Sequence, residues 1–331
     1  MLPGGRQAAA AAALAGLLLA VGCSGGAPAP VSAAMPATPA LTAAPALTPA
    51  PVPPAGPYVA LGDSYTSGLM IQPQTGEPRG CARSAVNYPS LVAGELGLSG
   101  AGFRDVSCSA ARTGDLTGTQ QTEGGVNPPQ LDALSAATRL VTVGIGGNDA
   151  GFIDVITECA EQNLVQSLVT GLGGSPAAEA PCRDHYTSAA ATGADQVQRK
   201  VDAAGEKLAG VLREAARRAP QARLYVVGYP SLLPADPESC APVLGNAVTP
   251  ADLGFLAEKE QQLNAMLQQR AKAAGAGFVD VAAPSAGHDM CAGEDARWVE
   301  PPAPAPGLAA VHPNARGQQG IAAAVLKAVR G

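Results

Sequence analysis

Aromatic residues, charge and histidine are all scarce in this 331-residue sequence. Phe, Trp and Tyr make up 3% of it, too few to furnish an extended cleft that stacks sugars. Charged residues make up 15%, with 21 basic against 27 acidic side chains and a net charge of −6. A chain without a basic field does not neutralise phosphates, so no nucleic-acid partner is expected. The charge is also too low for a self-repelling disordered chain. Only three histidines occur, His185, His288 and His312. There is no His-Glu-x-x-His and no close His/Cys pair at zinc spacing, so no metal is expected. Gly144-Ile145-Gly146-Gly147 is too short for a dinucleotide fingerprint, and no other cofactor is implied. A Gly-x-Ser-x-Gly elbow is missing from the mature domain, which disfavours the α/β-hydrolase fold.

What is abundant is Gly (40), Pro (30) and, for a chain this size, cysteine (seven). The odd cysteine count depends on compartment: a reactive thiol or metal in the cytosol, disulfides plus one spare outside it. The N-terminus points outside. Arg6 precedes an uncharged apolar run, Ala8 to Val21, followed by small residues, which is the layout of a secretory signal. The run is short for a membrane span, which needs about 20 apolar residues. Ala20-Val21-Gly22-Cys23 resembles a bacterial lipobox, with Ala20 where leucine is usual. On that reading residues 1–22 are a lipoprotein-type signal peptide and Cys23 carries lipid; plain secretion is the alternative. Residues 24–57 hold ten prolines and no Asp, Glu, Lys or Arg. Such a stretch buries no core, so 23–57 reads as a lipidated cysteine and a disordered tether, or as a leader without a role.

Beyond it, 58–331 is read as one folded domain. Tyr58 to Gly62, Leu140 to Ile145, Leu224 to Val227 and Phe278 to Val281 are short apolar runs that read as buried strands, with a weaker one at Phe103 to Val106. Val197 to Arg218 and Ala251 to Ala274 carry apolar residues three or four apart and read as helices, as does the shorter Tyr88 to Leu96. Asn314 caps a last helix running to about Val329. Strands alternating with helices predict an α/β fold with a parallel sheet covered on both faces, with long insertions at 66–85, 159–188 and 231–250. The ligand site of such a sheet lies outside the carboxyl ends of its strands.

Three blocks stand at such places. Gly62-Asp63-Ser64-Tyr65-Thr66-Ser67-Gly68 follows the first strand, Gly146-Gly147-Asn148-Asp149 follows another, and His312-Pro313-Asn314 opens the last helix. In this order they resemble the SGNH or GDSL hydrolases, a family of serine esterases and lipases, over nearly all of 58–331. The cysteine spacing and Ser285-Ala286-Gly287-His288-Asp289 before Cys291 look most like its actinobacterial secreted lipase branch. The resemblance implies a three-layer α/β/α sandwich with a mainly parallel, flavodoxin-like central sheet. It implies a carboxylic ester hydrolase working through an acyl-enzyme on Ser64, with a small-molecule or lipid ester as substrate.

The residues suit that chemistry. A serine hydroxyl needs a base to take its proton, and Ser64 stands in an exposed turn. His312 is the leading base, because the positive end of the following helix favours the neutral imidazole. His288 either lines the site or braces a loop, and His185 belongs to an insertion. Many family members carry Asp three residues before the histidine; here that position is Ala309, and no acid occurs from Pro301 to Val311. A Ser–His dyad is therefore expected, with a backbone carbonyl near Ala309 or Ala310 fixing the tautomer, while Asp280 or Asp289 remains an alternative. The oxyanion hole expected from the resemblance is the N–H of Ser64, the N–H of Ala110 in place of the family's glycine, and the Asn148 carboxamide. The apolar loop Pro301 to Ala310 reads as part of an acyl pocket or as plain surface. The resemblance favours the disulfides Cys81–Cys108, Cys159–Cys182 and Cys240–Cys291; the alternative is that one or more of them stay reduced. The enzyme is expected outside the cytoplasm as a monomer, either secreted or anchored by Cys23 to the outer face of the cytoplasmic membrane. A non-catalytic surface lipoprotein, a phospholipase and a carbohydrate acetylesterase are the alternatives.

Overall fold

The computed structural model describes residues 56–174, 178–188, 195–244 and 248–331. The expected signal peptide and tether, with Cys23, fall in residues 1–55, outside the described residues. Among the described residues no helix is long and apolar enough to cross a membrane.

Along the chain come β1 (Tyr58–Gly62), α1 (Ser64–Ser67), the hairpin β2 (Gln74–Thr75) and β3 (Arg83–Ser84), α2 (Tyr88–Glu95) and β4 (Phe103–Asp105). The hairpin β5 (Gln120–Thr122) and β6 (Gly125–Asn127), then β7 (Leu140–Gly144), α3 (Gly147–Ala150), α4 (Phe152–Gly171) and α5 (Pro181–Thr187) follow. The chain ends with α6 (Gln196–Arg218), β8 (Arg223–Val227), α7 (Ala241–Leu244), α8 (Pro250–Ala273), β9 (Gly277–Val279), α9 (Ala282–Ser285) and α10 (Ala315–Arg330).

The central sheet has the order β4-β1-β7-β8-β9, with every pairing parallel. Numbered within the sheet this is 2-1-3-4-5, the flavodoxin-like order, whose switch point falls between β1 and β7. All five residues of β1 and of β7 are buried, as a strand covered on both faces requires. Their side chains alternate. Val59, Leu61, Val141 and Val143 pack with Leu208 and Leu212 of α6 and Leu263 and Leu267 of α8. Tyr58, Ala60 and Leu140 pack with Val92 of α2 and Val325 and Val329 of α10. These two cores make three layers, α/β/α. Each fully buried leucine or valine among them contributes about 1.5–3 kcal/mol.

The helices start where side chains satisfy their first amides. Asp195 Oδ1 accepts from the N–H of Gln198 at 2.9 Å to open α6, and Asn314 Oδ1 accepts from that of Gly317 at 2.9 Å to open α10. Thr249 Oγ1 caps α8, ahead of Pro250. Three strands end earlier than the sequence suggests, β7 at Gly144 and two others for reasons the hydrogen bonds show. β9 stops at Val279 because Asp280 Oδ1 turns to accept the N–H of Ala283, starting α9. β4 stops at Asp105, whose carboxylate accepts from Ser107 N and Oγ. The expected insertion at 159–188 is largely helical, carrying most of α4 and all of α5.

A third apolar cluster, built from segments that follow the strands, contains Phe152, Leu232, Leu256, Met290 and Val311. Two disulfides, Cys159–Cys182 and Cys240–Cys291, sit within it. The third, Cys81–Cys108, ties the β2–β3 hairpin to the segment after β4. The pairing is the one the resemblance implied, and each bridge typically adds about 2–4 kcal/mol.

Candidate active site

The site grows out of the carboxyl end of β1. Gly62 lies against β7 so closely that a β-carbon there would stand 2.5 Å from the Gly144 carbonyl. Its own N–H and C=O pair with the Gln130 carboxamide, at 2.8 and 2.9 Å. The strand thus ends abruptly, and Asp63 turns the chain by accepting the Tyr65 N–H at 3.0 Å. Ser64 becomes the first residue of α1, where its N–H has no partner within the helix.

Ser64 Oγ lies 2.8 Å from His312 Nε2. The opposite ring nitrogen, Nδ1, lies 2.7 Å from the Ala310 carbonyl oxygen. A carbonyl only accepts, so Nδ1 carries the proton and Nε2 presents its lone pair to the serine hydroxyl. The residue between, Val311, has φ +57°, rare for a β-branched side chain, and this turn brings the carbonyl back onto the ring. The turn is held from several sides. Val311 N–H donates to Glu300 O at 3.0 Å, Glu300 N–H donates to His312 O at 2.9 Å, and the Tyr65 hydroxyl donates to Val311 O. The Tyr65 ring stands between His312 and Tyr229, at centroid distances of 4.9 and 5.1 Å.

Burial lowers the His312 pKa from its ordinary 6.5, and the bond to Ala310 opposes this in part. The imidazole is therefore neutral at neutral pH, as a general base must be. Ester hydrolysis should lose kcat/KM as pH falls, with the midpoint of this acid limb below 6.5. A limb centred at 7 or above would show that the imidazole is not desolvated in this way.

The other candidate partners are occupied elsewhere. Asp280 caps α9, and Asp289 Oδ1 accepts the Cys291 N–H at 2.9 Å. His288 stacks on Trp298 at 4.9 Å with Nδ1 at 2.6 Å from Ala296 O, so it braces a loop. His185 packs edge-on against Tyr186 on α5.

Ala110 and Asn148 line one cavity with Ser64 and His312, of about 300 Å³. Ala110 has φ +62°, the left-handed conformation glycine adopts freely and alanine takes at a cost of about 1–2 kcal/mol. The Cys81–Cys108 bridge and the Ser109 N–H bond to Cys81 O hold that segment. Asn148 Nδ2 donates one hydrogen to Ala111 O at 2.9 Å, which leaves its second N–H for a ligand. The neighbouring Asp149 accepts from Thr113 N and Oγ1, both at 2.8 Å, fixing α3 against the Ala110 segment.

Two buried groups have no signal in the sequence. Tyr229, just after β8, donates its hydroxyl proton to Asp63 Oδ2 at 2.6 Å and accepts the Gly147 N–H at 2.8 Å. It thereby links the residue before Ser64 to the residue before Asn148. Burial raises the Asp63 pKa to about 7, against the opposing effect of the Tyr229 bond. Glu260, on α8, is raised by burial to about 8, while bonds from the Leu232 and Leu233 N–H groups oppose the rise.

Of the two readings of Pro301 to Ala310, acyl pocket or plain surface, the cavity lining favours the second. Leu69, Phe152, Ile153, Leu232 and Leu263 supply the apolar wall, and none of Pro301 to Ala310 lines the cavity. That loop contributes only the Ala310 carbonyl to the ring. Among the described residues, no group of three or more His, Cys, Asp or Glu side chains is placed to hold a metal.

A family model described as the GDSL-like lipase/acylhydrolase family matches residues 60–319. Lipase 2 of Streptomyces coelicolor is 38% identical over 269 residues, covering 80% of this chain and 83% of that one. Among solved structures, phospholipase A1 of Streptomyces albidoflavus NA297 is similar with a TM-score of 0.64 and 28% identity, over 83% of this chain and 98% of that one. The extracellular lipase of Streptomyces rimosus is similar with a TM-score of 0.63 and 30% identity, over 83% of this chain and all of that one. The protein belongs to the GDSL-like lipase/acylhydrolase family and is an ester hydrolase.

Proposed function

We propose that the chain cleaves carboxylic esters through an acyl-enzyme on Ser64, with His312 as general base. Ser64 Oγ attacks the ester carbonyl while His312 Nε2 takes its proton. The oxyanion is held by the N–H groups of Ser64 and Ala110 and the free N–H of Asn148 Nδ2. His312 then protonates the departing alcohol. A water molecule, deprotonated by His312, attacks the acyl-enzyme; as the bond to Ser64 Oγ breaks, His312 returns the proton to that oxygen and the acid leaves. The Ala310 carbonyl takes the place of a carboxylate in orienting the ring. The observation that carries this reading is the Ala310 O···Nδ1 and Nε2···Ser64 Oγ chain, at 2.7 and 2.8 Å, opening on a largely apolar cavity.

Similarity to proteins named lipase and phospholipase A1, with that apolar wall, favours lipid esters over acetylated sugars. Export fits the signal-like N-terminus and three disulfides. Lipid on Cys23 would then hold the enzyme beside a membrane at the end of the proline-rich tether.

The test is hydrolysis of p-nitrophenyl acyl esters, a short-chain phosphatidylcholine and acetylated xylan by the purified protein. Release of p-nitrophenol and of fatty acid supports the reading; activity on acetylated xylan alone overturns the lipid preference, and no turnover overturns the whole. In the same assay the Asp280→Asn and Asp289→Asn variants should each keep kcat within about threefold, since neither carboxylate meets His312. A loss near the 10²–10⁴-fold worth of general-base catalysis would contradict the carbonyl assignment.

A further inference from the structure

Glu260 faces two cavities at once. One is the Ser64 cavity of about 300 Å³. The other is a groove of about 460 Å³ behind it, lined by Ser231, Leu233, Pro234, Gly254, Ala257 and Gly287 among others. The backbone beside Glu260 divides in the same way, since Leu232 lines the front cavity and Leu233 the groove. Glu260 Oε1 accepts the Leu232 N–H at 3.0 Å, which fastens the side chain across this boundary. The residue is only 6% exposed. With its pKa raised to about 8 the carboxyl is protonated at neutral pH, so the wall puts no charge beside an acyl chain. Behind it the groove has room, because a β-carbon added at Gly254 would meet nothing within 4 Å.

We propose that Glu260 is the partition that ends the acyl site and sets the longest acyl chain it accepts, with the Gly254 groove as the space a longer chain would enter. This rests on the proposed ester hydrolysis at Ser64 and names the acyl class that site takes, chains short enough to stop at Glu260. A chain that outgrows the front cavity must displace a buried, hydrogen-bonded side chain.

The experiment measures kcat/KM on p-nitrophenyl butyrate, octanoate and dodecanoate for the wild type and four variants. Wild type and Glu260→Gln, which keeps an acceptor for the Leu232 N–H, should prefer the shorter esters. Glu260→Ala should raise the dodecanoate-to-butyrate ratio by about tenfold or more, the discrimination that one or two methylenes command in an apolar pocket. Gly254→Leu fills the groove on an exposed turn of α8, where leucine also favours the helix, and should leave the wild-type ratio unchanged. Combined with Glu260→Ala it should restore the short-chain preference. If Glu260→Ala does not fold, Glu260→Asp retracts the wall by one methylene and should shift the ratio the same way. The proposal is overturned if a folded Glu260→Ala or Glu260→Asp keeps the wild-type ratio, or if Gly254→Leu fails to reverse the shift. Absence of turnover on every ester by the wild type would instead reject ester hydrolysis at Ser64.

Discussion

Ser64→Ala should lower kcat/KM on p-nitrophenyl butyrate on the order of 10⁵-fold, with the melting temperature and the three disulfides unchanged. On the proposed mechanism this hydroxyl is the atom that becomes acylated, and Ser109, the other serine lining the cavity, is hydrogen-bonded to Ser67 Oγ instead. The next hydroxyls in sequence are all engaged: Tyr65 with the Val311 carbonyl, Thr66 Oγ1 with the Gly144 carbonyl, and Ser67 Oγ with the Ser64 carbonyl and Ser109 Oγ. His312→Ala should cost about as much, because a base with no nucleophile and a nucleophile with no base are equally idle. The double variant should be no worse than either single one, since residues that act as a unit are grossly non-additive. Additive losses would mean that the two side chains work independently, which a 2.8 Å contact does not allow.

Asn148→Ala is the second large effect, expected at about 10²–10³ in kcat with KM nearly unchanged. The carboxamide has two jobs that separate experimentally. One N–H holds the Ala111 carbonyl at 2.9 Å, and its loss appears in thermal stability. On the proposed mechanism the other meets charge only as the tetrahedral intermediate forms, so its loss should appear in kcat. A higher KM at constant kcat would place Asn148 in ground-state binding instead. Tyr229 supports the same loop through Gly147 N–H.

Much of the fold was legible because its strands are short, apolar and fully buried. Tyr58 to Gly62 and Leu140 to Gly144 need no tertiary knowledge to be read as core strands of a parallel sheet. Ser64, Asn148 and His312 were legible because their three blocks, standing in order after strands and before a helix, resemble a known family; turn chemistry alone marks each only weakly. The orienting carbonyl was narrowed to Ala309 or Ala310 by the lack of any acid nearby; Val311's left-handed turn selects Ala310. What stayed hidden depends on distant segments meeting. Gln130 pairs with Gly62 across 68 residues, Tyr229 with Asp63 across 166, and Thr113 with Asp149 across 36. None of these has a spacing that a local period reveals. The Pro301 to Ala310 loop could be read as pocket or as surface; the apolar lining of the cavity comes from the segment after α1, α4, α8 and the segment after β8. Glu260 looked like one more polar residue of a helix, because burial of a carboxyl is a property of packing.

The most direct test of a Ser64 acyl-enzyme is to trap it. A p-nitrophenyl alkylphosphonate loses nitrophenolate to a serine alkoxide and leaves a stable tetrahedral phosphonyl ester on the oxygen. Intact mass followed by peptide mapping should show one adduct per chain, on Ser64, formed faster as pH rises through the His312 pKa and absent from Ser64→Ala. An adduct on any other residue, or equal labelling of Ser64→Ala, would contradict the proposed mechanism.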